Sequence, residues 1–230
     1  MNVEQKITQD IIEHTSEYVH IEFPNSRRVL SSAPHNGGLI DSDHLLILRV
    51  MENFNGTKGP FEPLADTFRN YCRRKEWAGI TVGMMTSARM TSFRNVCRSA
   101  RGVEVSVLVT AGISNARRAG DPAEYRSFDE DRLKPGTINI IILTNAILTQ
   151  AAQVEAVMVV TEAKAAVLQD LDVTSPVTGK TATGTGTDAI TVVSGSAPPE
   201  ICYCGKHTLF GEKLASATMD ALFSSLGGVL

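Results

Sequence analysis

The stretch Thr181–Asp188, Thr-Ala-Thr-Gly-Thr-Gly-Thr-Asp, sets a hydroxyl at every second position and ends on a carboxylate. Gly184 and Gly186 let a ligand come close to main-chain N–H groups, while Thr183, Thr185 and Thr187 add side chains that both donate and accept hydrogen bonds. The run reads as a ligand-facing loop. A second carboxylate lies in Thr161-Glu-Ala-Lys164, where Glu162 and Lys164 stand about 200° apart around a helix and so cannot pair with each other. Glu162 suits acid–base work if it faces the apolar side, and is a solubility residue if it faces outward.

Two familiar motifs are imitated here, and both fail. Gly179-Lys180-Thr181 has the end of a phosphate-binding P-loop, but that motif needs a glycine where Thr174 stands. Gly184-Thr-Gly-Thr-Asp-Ala189 imitates a dinucleotide fingerprint, which requires a strand before it and a helix after it. Lys180–Thr183 is polar, and Ala189-Ile-Thr-Val-Val193 is β-branched and strand-like. The plainer alternative is a strand-entry turn with surface threonines.

Small polar residues also collect at other predicted strand ends. Val19–Phe23 alternates, and after the turn signal Pro24-Asn-Ser26 comes Arg28–Ala33, so a strand pair is predicted. It runs into Pro34-His-Asn-Gly-Gly38, which presents Ser31, Ser32, His35 and Asn36. A histidine on such a loop is commonly only a surface or hydrogen-bonded residue, although its titration range suits proton transfer. Strands are also predicted over Ile80–Met85, Val103–Val109 and Thr137–Leu143. The second delivers Thr110-Ala-Gly-Ile-Ser-Asn115, and the third holds Asn139 inside an apolar run, as a bridge between strands or a substrate contact.

The apolar spacing of Val3, Ile7, Ile11 and Ile12 predicts a short amphipathic helix or an added first element. A helix is predicted after Pro63, with Leu64, Phe68, Tyr71 and Cys72 on one side, and the strongest helical signal covers Leu148–Leu171. Ala116–Lys134 is the most charged and least periodic part, a loop or lid expected to be mobile without ligand, and Ser194–Pro199 reads as a linker-like turn before a final helix. The whole is an α/β fold, with mixed α+β as its variant: one domain over residues 1–230, a mixed sheet with flanking helices.

With 22 basic and 25 acidic residues the net charge is −3, and no basic run exceeds Arg73-Arg74-Lys75, so nucleic acid is not an expected partner. No apolar run approaches the about 20 residues of a membrane span, and Met1–Asp10 lacks the basic-then-apolar pattern of a secretory signal. No membrane partner and a cytoplasmic location are expected. Cysteines at 72, 97, 202 and 204 are too irregular for a disulfide framework, and Cys202-Tyr-Cys204 with His207 lacks the second ligand cluster of a zinc site. No metal site is expected. Oligomeric state is open, a homo-oligomer included.

Ser31-Ser-Ala-Pro-His-Asn-Gly-Gly38, Thr110-Ala-Gly-Ile-Ser-Asn115, Gly136-Thr-Ile-Asn-Ile140, Thr161-Glu-Ala-Lys164, Ala182-Thr-Gly-Thr-Gly-Thr-Asp188 and Gly205-Lys-His-Thr208 together resemble the adenosylcobinamide amidohydrolase family. Each block alone is weak, but the six follow the family's order. Residues 1–27 stand outside the resemblance as an amino-terminal extension, and the charged insert Ala116–Lys134 departs from it. The resemblance implies a corrinoid-salvage enzyme that hydrolyses the amide joining adenosylcobyric acid to aminopropanol, returning scavenged cobinamide to cobalamin synthesis. It implies no separate cofactor, since cobalt would arrive within the corrinoid substrate.

On this reading the substrate-binding candidates are Ser31, Ser32, His35, Asn36, Thr110, Asn115, Asn139, Lys164, Thr183, Thr185, Thr187 and His207, with Glu162 and Asp188 as the catalytic candidates. A corrin ring rimmed by amide arms suits such neutral hydrogen-bonding groups. Amide hydrolysis needs an attacking oxygen, a base, an acid for the leaving amine and donors for the oxyanion. Two routes are open: water activated by Glu162 or Asp188, which is preferred, or a Ser/Thr nucleophile such as Ser31, Ser32 or a loop threonine. The competing classes are a corrinoid-binding module without catalysis and a nucleotide transferase, the latter disfavoured by the failed phosphate motifs.

Overall fold

The computed structural model describes residues 5–7, 10–50, 64–123 and 137–227. Strands β1 (Gln5–Ile7) and β2 (Asp10–His14) open the chain as an antiparallel pair, where the apolar spacing predicts a helix or an added element. Ile12 is 2% exposed and its neighbour Ile11 44%, the two-residue alternation of a strand that is buried on one face. The strand pair predicted on either side of Pro24 is instead one strand, β3 (Tyr18–Ser31). It stays paired with β4 (Gly38–Arg49) across a register shift between Glu22 and Arg27. The shift takes Pro24 out of the hydrogen-bond ladder, so a residue without an N–H is tolerated within a paired strand.

Helix α1 (Leu64–Arg74) precedes β5 (Thr81–Thr86), which lies parallel to β4. A hairpin follows, β6 (Arg94–Ala100) with β7 (Val103–Ala111), and then the two-residue β8 (Ala116–Arg117). Strand β9 (Ile138–Thr144) pairs antiparallel with β7, and β10 (Ala146–Leu148) leads into α2 (Gln150–Asp170). The Thr149 hydroxyl caps α2 by accepting from Ala152 N. Next come β11 (Gly184–Thr185), paired with β8, and β12 (Ala189–Val193), parallel to β9 and antiparallel to β3. Part of the predicted linker is a strand, β13 (Ala197–Ile201), which pairs with β10 before α3 (Leu209–Ser225) ends the described chain.

The main sheet runs β5-β4-β3-β12-β9-β7-β6, with β2 and β1 continuing from another part of β3. Alternation sorts its side chains into two cores. Val107, Val109, Ile138, Ile140, Ile142, Ile190 and Val192 face α2 and α3, where Ala152, Ala156, Val160, Leu214 and Ala217 meet them. The opposite face carries Leu108, Ile141, Leu143 and Ala189, packed against Val19, Ile21, Leu45, Ile47, Val82 and Met84 from the other half of the sheet. The sheet is therefore rolled on itself: Asn139 Nδ2 donates to Met85 O at 2.9 Å, joining β9 to β5, although these strands do not pair. Each fully buried isoleucine here contributes about 1.5–3 kcal/mol of apolar burial. Helix α1 closes the outer side of β4 and β5 through Phe68 and Tyr71. Phe68 seats on Gly83, where a methyl would stand 2.5 Å from its ring. This is the mixed α/β arrangement, sheet with flanking helices, that the sequence predicts.

Candidate active site

Strand register gathers the predicted small-residue ends at one end of the rolled sheet. Thr110 lies opposite Asn139, Asn139 beside Ala189, and Thr191 opposite Ser31. Side-chain alternation then divides the gathered residues between two faces.

Asp188, just ahead of β12, points to the α2 side. Its Oδ1 accepts from Ile138 N at 3.1 Å and from Thr185 Oγ1 at 2.5 Å. Its Oδ2 accepts from Thr185 N at 3.0 Å and is ion-paired with Lys164 Nζ. Lys164 and Asp188 side chains keep only 8% and 11% of their exposure, so each charge depends on the other for compensation. Four donors occupy the carboxylate, about its full accepting capacity. A methyl at residue 184 would displace the pair, because it would stand 2.4 Å from Asp188 Oδ2 and 2.8 Å from Lys164 Nζ. Thr137 Oγ1 locks the following turn by donating to Thr187 O at 2.5 Å.

The loop's other contacts keep it in place. Gly184 and Thr185 pair with Arg117 and Ala116, Thr183 N donates to Arg117 O at 2.9 Å, and Thr183 Oγ1 accepts from Ala119 N at 2.8 Å. Asp121 accepts from Ser175 Oγ at 2.5 Å, Thr178 Oγ1 at 2.8 Å and Arg118 N at 2.8 Å, and the Ser175 hydroxyl foremost holds its carboxyl below the usual range. Residues 116–119 of the predicted lid are thus tied to this loop and Asp121 to Ser175 and Thr178, while 124–134 lie outside the described residues. Beside Gly186 there is open space among the described residues: a methyl built there would meet only Asn115 Nδ2, at 3.9 Å.

Glu162 corrects an expectation. It stands on the outer face of α2 with its side chain 52% exposed, paired with Lys206, itself 62% exposed. The rotation that turns Lys164 inward turns Glu162 out, and it is not the desolvated acid that catalysis would use. His207, beside Lys206 in the turn before α3, is exposed as well.

Ser31 is buried and already engaged, its hydroxyl 2.7 Å from Thr191 Oγ1 and accepting from Ala33 N at 3.0 Å. Ser32 Oγ accepts from Ile190 N at 3.0 Å. His35 sits on the α1 side, its backbone bridging Gly83 and its ring stacked on Phe68 at 4.8 Å, and burial followed by the Arg69 charge lowers its pKa. Asn36, with φ +52°, donates to Thr81 O at 2.9 Å. Thr110 and Asn139 face the rolled interior at 0% exposure. Among the described residues Thr110 Oγ1 and Asn139 Oδ1 have no hydrogen-bond partner.

Of the sequence-predicted residues, the structure joins Lys164, Thr185, Thr187 and Asp188 in one cluster with Asn115 at its edge. No described contact links Glu162, His35 or His207 to it. Sequence reasoning missed the steric role of Gly184 and the donors from Thr137 and Ile138, although the last two lie in the Gly136-Thr-Ile-Asn-Ile140 block. Among the described residues, no three His, Cys, Asp or Glu side chains group as metal ligands, and no helix is long and apolar enough to cross a membrane. A separate apolar groove of about 200 Å³, lined by Val103, Val105, Ile201, Leu209 and Phe210, lies at the opposite end of β7 and holds none of the candidate residues.

The chain belongs to the adenosylcobinamide amidohydrolase family, whose sequence profile matches residues 3–228. An adenosylcobinamide amidohydrolase of Methanosarcina mazei is 28% identical over 83% of this chain and 86% of its own length. One of Halobacterium salinarum is 33% identical over 56% of this chain and 53% of its own. An uncharacterised protein of Methanocaldococcus jannaschii is 38% identical, the match spanning about half of each chain, 53% in both.

Proposed function

We propose that this protein hydrolyses the amide of adenosylcobinamide, releasing adenosylcobyric acid and aminopropanol for corrinoid salvage. The observation that carries the reading is the buried Lys164–Asp188 pair beside the space that the described residues leave at Gly186, in a chain of this family. Asp188 is the base at the reacting amide. Lys164 brings a cationic donor to the side where the oxyanion develops. A carboxylate removed from water but held in place by donors needs little reorganisation during the reaction. The threonine loop brings neutral donors and acceptors suited to a corrinoid's amide arms.

The test is to incubate the purified protein with adenosylcobinamide and follow adenosylcobyric acid and aminopropanol by mass spectrometry. Equal amounts of both products, growing with time, are expected. Corrinoid binding without either product would identify a binding module instead.

A further inference from the structure

We propose that the attacking oxygen is the Thr185 hydroxyl, so that hydrolysis passes through an ester on this chain. The proposal deepens the amidohydrolase reading above and rests on it. Three observations favour it over direct attack by water. Asp188 holds its full complement of donors, two backbone N–H groups, the Lys164 ammonium and one hydroxyl, and only the hydroxyl offers an oxygen that can attack the amide carbon as its proton leaves. The fourth is the Thr185 O–H, at 2.5 Å. The proton that Asp188 is set to receive is therefore Thr185's, and a water would first have to displace one of the four. Thr185 is only half-buried and adjoins Gly186, where the described residues leave space for a substrate carbonyl. Ser31 is buried against Thr191, Ser32 accepts from Ile190 N and Thr183 accepts from Ala119 N, and among the described residues no carboxylate is bonded to these three hydroxyls.

The step balances without a further reagent. Thr185 Oγ bonds to the amide carbon as its proton passes to Asp188 Oδ1. The C–N bond then breaks, and the departing amine nitrogen takes that proton, leaving the acyl group as an ester on Thr185. A water bonds to the ester carbon and gives a proton to Asp188. The C–Oγ bond breaks and Oγ recovers the proton, so that the net change is amide plus water to acid plus amine.

The experiment compares wild type, T185V and T185S with adenosylcobinamide. Product formation by wild type tests the amidohydrolase reading by itself; its absence would sink that reading without reference to Thr185. Given turnover, T185V, which keeps the branched shape but has no hydroxyl, is expected to lose about 10³-fold or more in kcat while its corrinoid absorbance titration still shows binding. T185S, which keeps the hydroxyl, is expected to recover turnover to within about tenfold of wild type. Acid-quenched wild type and T185S should also release aminopropanol in a burst matching the enzyme concentration, or carry the acyl mass on the peptide containing residue 185. Turnover by T185V within about tenfold of wild type would overturn the proposal. So would a T185S that folds and binds corrinoid but is as inactive as T185V.

Discussion

Lys164 and Glu162 are two residues apart on one helix, and their environments give opposite expectations. Lys164 is buried against the Asp188 carboxylate, so K164M should leave that charge uncompensated and cost about 3–5 kcal/mol, read from urea unfolding. Glu162 and Lys206 are largely exposed, and E162Q should leave both the unfolding midpoint and kcat within about twofold of wild type. A large loss of kcat in E162Q would return it to the site. Gly184 bears on position alone: G184A forces Asp188 Oδ2 and Lys164 Nζ to move, and is expected to lower kcat by about 10–10²-fold with a smaller effect on melting temperature. Unchanged kcat in G184A would show that the geometry of the pair does not matter. Asp188 was legible as a candidate because it ends a glycine-threonine run. The outward turn of Glu162 was not legible, because a helix of alanine and valine on most sides gives little indication of which face is core.

The elements differ in how far local pattern determined them. β7, β9 and β12 announce themselves as β-branched runs, and α2 as a long stretch of helix formers with neither Gly nor Pro. β6, Arg-Asn-Val-Cys-Arg-Ser-Ala, was missed because an edge strand half-open to solvent shows no clean alternation. The unity of β3 was hidden by Pro24, whose accommodation needs the partner strand β4 to pass it by. Pairing of this kind is a tertiary fact, absent from any local window. One element carries a pH prediction. His20 on β3 lies face to face with Trp77 at 3.6 Å, and its Nε2 is 3.2 Å from His44 Nδ1. Burial, then the charges of His44 and Lys75, push its pKa down to about 3. A folded-state pKa below the unfolded value of about 6.5 means that the neutral ring contributes stability fully above that pH. The contribution is lost progressively as pH falls towards the folded value. Melting temperature should drop steeply over that window in wild type and less steeply in H20F; equal slopes would remove His20 as the cause.

At the scale of the molecule, rolling one mixed sheet places helices on its outer surface and a second core inside. It brings the ends of β3, β7, β9 and β12 together from four distant parts of the chain. The ordered blocks in the sequence marked these ends as rich in small polar residues. They did not foretell that alternation would split them, with Asp188, Lys164 and Thr185 on the α2 side and Thr110, Asn139 and Ser31 turned into the interior. The central claim is that the α2-side cluster performs amide hydrolysis with Asp188 as its base. The most direct measurement is kcat for aminopropanol release from adenosylcobinamide, per folded molecule, in wild type and D188N, with corrinoid affinity measured alongside. D188N keeps the side chain's shape but cannot take the proton, so the account predicts kcat lower by about 10²–10⁴-fold with affinity nearly unchanged. A D188N protein that binds the corrinoid and turns it over at the wild-type rate would contradict it.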